Sequence, residues 1–300
     1  MCSSDLNIMT KTYQRTKLQE VIIRGYKSIA FDRPVTLELG DVSILLGANG
    51  AGKSNIISFF RMLSYMMSKS FGKYVEISGT SHALLHYGAK KTPVMSGVLK
   101  FADKNSIDIY DFSLANAAPD RLIITEERIT WHRKGEEKPY EIALEPNFKE
   151  SALAESDNPV AKSIFQMLSY CKVYQFHDSS AEGPLRQACP VETANYLQSY
   201  GNNLPSFLLF LRENYEDAYN RIVDYVRDVV PQFQDFYLEP TNGIISLRWM
   251  DNSATDYRFN AYQFSDGSIR FIALATLLLQ PAQTMPNVII LDEPELGLHP

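Results

Sequence analysis

Cysteine is scarce in this chain, and its placement excludes more than its number. Cys2, Cys171 and Cys189 are the only three in 300 residues. They are odd in number, far apart and without the short spacings of a metal site, which excludes a disulfide framework and suits a reducing, cytoplasmic setting. Long hydrophobic runs are missing as well. The most continuous, Phe271 to Leu279, is far shorter than the roughly 20 residues needed to cross a bilayer. No signal-peptide pattern opens the chain, so no membrane partner is expected. Positive charge is not in excess: 29 Lys and Arg against 35 Asp and Glu give a net charge of −6. A global pull toward nucleic acid or anionic lipid is thereby excluded, and a role on DNA needs some other warrant. There is no internal repeat, no low-complexity tract and no heptad run long enough for an extended coiled coil.

What is present is the composition of a folded protein, 45% hydrophobic and 21% charged, large enough for one sizeable α/β domain or a two-lobed one. Leu18 to Ile23 and Val35 to Leu39 read as strands, and Asp41 to Leu46 as a third that feeds a glycine-rich loop. A helix is expected from Lys53, with Ile56, Ile57, Phe60, Leu63 and Met66 on the face that packs against a sheet. Four β-rich segments follow, Met95–Phe101, Ser106–Leu114, Arg121–Trp131 and Tyr140–Leu144, which predict antiparallel strands. The charged turn from His132 to Pro139 is read as a solvated hairpin tip. Further on, the pattern predicts a helix at Ala161–Leu168, a strand at Lys172–Phe176 and a helical block from Thr193 to Val230. In that block Ile222, Val223, Val226, Val229 and Val230 form a buried stripe that Pro231 ends. Strands are expected at Ile244–Met250, Asp256–Phe259 and Asn287–Leu291, with an apolar helix to Leu279 between the last two.

The strongest motif is Gly47-Ala48-Asn49-Gly50-Ala51-Gly52-Lys53-Ser54. In such a loop the glycines let successive backbone N–H groups face phosphates while the following helix adds positive potential. Lys53 is positioned to reach the β- and γ-phosphates of ATP, and Ser54 to offer a hydroxyl to Mg²⁺. The loop backbone and Asn55 complete the expected nucleotide contacts. A chance match in a chain of this length has a probability on the order of one per cent. The second motif is Val288-Ile289-Ile290-Leu291-Asp292-Glu293-Pro294, an apolar strand that delivers two acids to its end. Asp292 suits Mg²⁺ coordination, and Glu293 suits the base that deprotonates the attacking water. ATP and Mg²⁺ are the expected cofactors. A GTPase is disfavoured, since no Asn-Lys-x-Asp run appears.

Together the P-loop, the Leu291-to-Pro300 ending, Ser265-Asp266-Gly267-Ser268 at a helix start and Arg24-Gly25-Tyr26-Lys27-Ser28 resemble the ABC-type ATPases of the RecF/SMC-like branch. The chain is more closely similar to the bacterial AAA-type, RecF-related predicted ATPases, from about Leu18 to Pro300 and including His86-Tyr87-Gly88 and Asn202-Asn203-Leu204-Pro205. The fold implied is an α/β P-loop NTPase of ABC type, with a mixed sheet, an antiparallel β-subdomain and a helical lobe. The corresponding division is an N-terminal extension 1–17, a nucleotide-binding lobe 18–150, a helical lobe 151–235, and the signature and acidic motifs in 236–300. Ser3-Ser4-Asp5-Leu6 matches the translation of a common sequencing adapter, so residues 1–6 are read as an artefact. A core of this type continues beyond such an acidic motif, so the chain is expected to be C-terminally truncated.

The resemblance further implies that two copies sandwich ATP as a homodimer, with Ser265 and Gly267 of one serving the nucleotide of the other. The signature departs from the transporter pattern: Phe264 stands for leucine, Asp266 for a glycine and Ser268 for a glutamine. An acid beside phosphate would oppose closure. A Q-loop glutamine is implied between the antiparallel sheet and the helical lobe, where Gln175 lies; the alternation Tyr174-Gln175-Phe176 also allows it to face solvent. His177 and Asp178 are neighbouring candidates, and Lys27 and Ser28 are implied near the nucleotide. A switch histidine would follow Pro300, and His299 is not given that role. The function implied is ATP hydrolysis coupled to DNA repair or genome defence. Two alternatives stay open: an ATP-gated clamp or scaffold without turnover, and the ATPase part of an overcoming-lysogenisation-type nuclease, with a nuclease or other effector as partner.

Overall fold

The computed structural model describes residues 16–145 and 148–296. The expected artefact at 1–6, nearly all of the N-terminal extension, and His299 and Pro300 lie outside the described residues. The chain divides into two compact units, Met1–Cys171 and Lys172–Pro300.

The first unit is built on β1 (Lys17–Arg24), β2 (Val35–Glu38), β3 (Val94–Ala102), β4 (Ser106–Ala117), β5 (Arg121–Arg133) and β6 (Tyr140–Leu144). They form one sheet in the order β2-β1-β3-β4-β5-β6, each neighbouring pair antiparallel. Four of the six follow the segments where β-branched and aromatic residues recur, and β1 buries Leu18, Val21 and Ile23 as a period of two requires apart from its bulge. Helix α1 (Lys53–Met67) buries Ile57, Phe60, Leu63 and Met66 as expected, and Phe59 and Met62 besides. Phe59 stacks on Phe112 of β4 at 6.1 Å between ring centroids, and Gly97 of β3 makes room: a Cβ there would come within 2.8 Å of Phe59. Burial of one such ring stabilises by about 1.5–3 kcal/mol. Two short helices, α2 (Phe71–Ile77) and α3 (Thr80–Leu84), follow. They are too short for a periodic signal in the sequence. Helix α4 (Pro159–Ser169) starts where Asn158 caps the amides of Val160 and Ala161.

One expected strand is absent. Asp41–Leu46 joins no sheet among the described residues, and Val42, Ile44 and Leu46 are exposed at 84%, 77% and 89%. Alternating apolar residues favour an extended backbone, but a strand also needs a neighbour to complete its hydrogen bonds.

The second unit begins within β7 (Cys171–Tyr174), which pairs with β13 (Val288–Leu291). Between them run β8 (Cys189–Pro190), α5 (Leu204–Asn214), α6 (Glu216–Val229), β9 (Phe233–Tyr237), β10 (Ile244–Ile245), β11 (Arg248–Asp251), β12 (Ala254–Asn260) and α7 (Asp266–Leu279). Strands β12, β11 and β9 form an antiparallel sheet, and β10 pairs antiparallel with β8. The α/β class and the antiparallel sheet are therefore as the sequence predicts. Four details differ. The α-helices of the expected block start only at Leu204, because Asn203 is spent on the preceding turn. The strand expected at Ile244–Met250 is broken after Ile245. Strand β9 lies where no strand was expected. On α6, Ile222, Val223 and Val226 are buried but Val229 is 50% exposed, having rotated past the apolar face.

Candidate functional site

The phosphate-loop motif sits in the first unit as a turn leading into α1. Gly50 and Gly52 adopt φ of +81° and +97°, the left-handed region that costs an L-residue roughly 1–2 kcal/mol. Ala51 N–H donates to the Ala48 carbonyl at 3.1 Å, closing the turn. Helix α1 has no side-chain cap and no acid in its first turn. Its leading N–H groups and positive end are thus left for an anion. Lys53 folds back over the loop, donating from Nζ to the Gly47 carbonyl and to the Ala48 carbonyl at 3.2 Å. Ser54 is exposed at the second position of α1. The residues fit a triphosphate: the Lys53 ammonium crosses the loop, Ser54 is exposed, and the start of α1 carries neither a side-chain cap nor an acid in its first turn.

Residues behind this loop hold it in place. Asn55 donates from Nδ2 to Ser28 Oγ at 2.6 Å, and a Cβ on Gly52 would be 3.4 Å from that hydroxyl. Ser28 therefore lies beside the loop. Lys27 has a left-handed φ of +49° and its Nζ lies 5.5 Å from the centre of the Tyr26 ring. Burial, and then the charge of Arg61, hold its pKa below the ordinary lysine value. His86-Tyr87-Gly88 now has a structural account. The amide of His86 donates to the Gly25 carbonyl at 3.0 Å, and its Nδ1 lies 2.8 Å from the Lys27 carbonyl. Gly25 (φ +69°) tolerates no side chain, since a Cβ would meet the Val94 carbonyl at 2.6 Å.

In the second unit, β7 and β13 each end one residue short of a candidate. Asp292 N–H donates to the Tyr174 carbonyl at 3.1 Å, which sets Gln175 beside Asp292. Gln175 Nε2 donates to Asp292 Oδ2, and His177 Nε2 lies 3.5 Å from the same oxygen. Gln175 faces the acid, and the solvent-facing alternative is set aside. The Asp292 side chain is 17% exposed, whereas Glu293 is exposed and held at φ +46°, an uncommon conformation for a residue with a Cβ. Asp178 turns away from this pair: it accepts from Ser180 Oγ at 2.5 Å and Ser180 N–H at 3.1 Å, bonds that lower its pKa. Arg270 of α7 donates to the His177 carbonyl and, at 3.0 Å, to the Leu296 carbonyl, tying α7 to the segments that follow Gln175 and Glu293. Among the described residues no cluster of three or more His, Cys, Asp or Glu side chains could hold a metal. A Mg²⁺ held by one serine, one aspartate, phosphate oxygens and water needs no such cluster.

The signature segment starts α7. Ser265 is its N-cap, with Oγ accepting from Ser268 N–H at 3.0 Å. Phe264 is buried and stacks on Trp249 of β11 at 4.8 Å. Beneath it lies Arg186, whose Nε donates to the Ser179 carbonyl at 2.8 Å. Nη1 donates to the Ala261 carbonyl, both terminal nitrogens to the Phe264 carbonyl at 3.2 Å, and Nη2 to Asp266 Oδ1 at 2.8 Å. Asp266, the acid that departs from the transporter pattern, is one half of an ion pair with Arg186. Arg186 and Arg270 were missed from the sequence because a single arginine carries no periodic signal. Asn203, in a motif without a derived role, is a structural residue: it accepts from Gln198 N–H at 2.8 Å and donates to the carbonyls of Thr193 at 2.6 Å and Tyr196 at 2.7 Å.

Among the described residues no helix is long and apolar enough to cross a membrane. The chain matches no curated protein. Among solved structures it is similar to the Smc head domain of Pyrococcus furiosus, which was crystallised with an extended coiled coil and bound to the C-terminal domain of ScpA. The identity is 12% and the TM-score 0.46, over 95% of this chain and 83% of that one. Residues 187–300 match the family described as AAA domain, putative AbiEii toxin, Type IV TA system.

Proposed function

We propose that the chain binds ATP through Gly47–Asn55 and hydrolyses it with Asp292 and Glu293, as a homodimer whose two copies share each nucleotide. The observation that carries this reading is the phosphate loop, with two left-handed glycines, an uncapped helix end and Lys53 folded across it. In this reading Lys53 binds the β- and γ-phosphates, and the leading N–H groups of α1 take the remaining phosphate oxygens. Ser54 in the first unit and Asp292 in the second are each of the residue type that would take Mg²⁺, which when bound would offset charge on the phosphates. Gln175 orients Asp292, and Glu293 accepts a proton from water. Ser265 Oγ and the Gly267 N–H of the other copy complete the phosphate contacts.

The family matched over 187–300 is described as an AAA domain, a putative AbiEii toxin of a type IV TA system, which supports the nucleotide-binding ATPase reading; the coupling to genome defence or DNA repair is part of the proposal. A role on DNA, a RecF-related ancestry and a nuclease or other effector partner belong to the same proposal. A clamp without turnover, motivated by Asp266 together with the divergent signature, is the second reading; the ion pair with Arg186 offsets the charge of Asp266 and leaves the Phe264 and Ser268 departures as its support. The test is kinetic. Glu293→Gln is expected to keep ATP binding, lose turnover and accumulate ATP-bound dimers, while Lys53→Ala loses binding. Unchanged turnover in Glu293→Gln would remove that residue as the base.

A further inference from the structure

The guanidinium of Arg186 is almost enclosed, at 5% side-chain exposure, while the carboxylate it pairs with, Asp266, is 66% exposed. The pair therefore points one way: the cation is anchored inside and the acid stands at the surface, one residue after the Ser265 cap. Arg186 also bonds the two carbonyls that lead into the cap, Ala261 and Phe264, and on its other side the Ser179 carbonyl. Ser179 lies four positions beyond Gln175. A single planar group thus joins the stretch that follows Gln175 to the segment that would meet a second copy's nucleotide. Its rigid fork of donors suits such a junction better than a lysine would.

Resting on the shared-nucleotide reading above, we infer that Arg186 is a positioning residue, held in place by the Ser179, Ala261 and Phe264 carbonyls, that neutralises Asp266 so that the start of α7 accepts the triphosphate held by a second copy. Without Arg186 the acid would face phosphate uncompensated. The two charges at the signature are then coupled, and removal of the second should undo the loss of the first.

The experiment uses the full chain carrying Glu293→Gln, with Mg²⁺ and ATP, and reads mass by light scattering, nucleotide affinity by titration and folding by thermal melting. The parent dimerises with ATP. Added Arg186→Met keeps the parent's ATP affinity as a monomer and lowers dimer formation at least tenfold. Further addition of Asp266→Asn restores most of the dimer, which a purely structural role for Arg186 would not allow. A dimer unaffected by Arg186→Met overturns the inference, as does a folded Arg186→Met variant whose loss Asp266→Asn leaves unrepaired. If Arg186→Met gives no cooperative melt, Arg186→Lys decides: the retained charge should keep the dimer within about threefold of the parent, and its loss there overturns the inference. A parent that binds ATP but stays monomeric overturns the shared-nucleotide reading, and this inference with it.

Discussion

Gln175 donates its side-chain N–H to Asp292, joining the ends of two strands more than a hundred residues apart in sequence. The amide engages Oδ2 of the carboxylate, and under the Mg²⁺ role proposed for Asp292 the other oxygen would take the cation. Groups that orient a metal ligand in this way cost about 10–100-fold in metal affinity or activity when removed. Gln175→Ala is expected to raise the Mg²⁺ concentration that half-saturates ATP turnover by about tenfold. Gln175→Glu should have a larger effect, since it sets two carboxylates against each other. A Mg²⁺ titration that superimposes on that of the parent in both variants would refute the orienting role.

Asn203 is 1% exposed and uses both ends of its amide on three backbone groups. Asn203→Leu keeps the volume but leaves the Gln198 amide and the Thr193 and Tyr196 carbonyls without that partner. Orphaned groups of this kind cost about 1–3 kcal/mol each, so a loss of roughly 3 kcal/mol in urea unfolding is expected. A loss below about 1 kcal/mol would mean that water or a shifted loop replaces the amide.

Lys27 gives a prediction in pH. Its pKa is lowered from 10.5 by burial first and then by Arg61, so the folded chain binds this proton more weakly than the unfolded chain does. The penalty is full at pH values below the lowered pKa and is relieved as pH rises through it toward 10.5. The parent should gain stability relative to Lys27→Met as pH is raised through that window. Melting curves of both proteins from neutral pH upward measure the gap, and a gap that does not change with pH would be inconsistent with the shift.

Much of the fold was legible because its signals are local. The strands from Val94 to Leu144 announce themselves by alternation, α1 by its apolar face, and the phosphate loop by glycines that only a left-handed turn requires. What stayed hidden depends on partners distant in sequence. Asp41–Leu46 has the pattern of a strand, yet pattern specifies an extended backbone and not a neighbour. The partner of Asp266 was hidden because nothing near it in the sequence identifies Arg186. Gln175 could be located between the sheet and the helices, but its direction was fixed only by the hydrogen bond between Tyr174 and Asp292. Asn203 carried no chemical signal at all, since its work is done on backbone groups.

The stacking of Phe264 on Trp249 makes the signature segment optically visible. The chain has two tryptophans, and the other, Trp131, stacks on Tyr140 in the first unit. Replacement of Trp131 by phenylalanine would leave a single tryptophan, excited apart from the tyrosines at the red edge of their absorption and stacked on the residue that precedes Ser265. Its emission wavelength and lifetime would then follow the start of α7 in real time, without an attached dye. Stopped-flow mixing with nucleotide could therefore time the rearrangement of that segment separately from the release of phosphate.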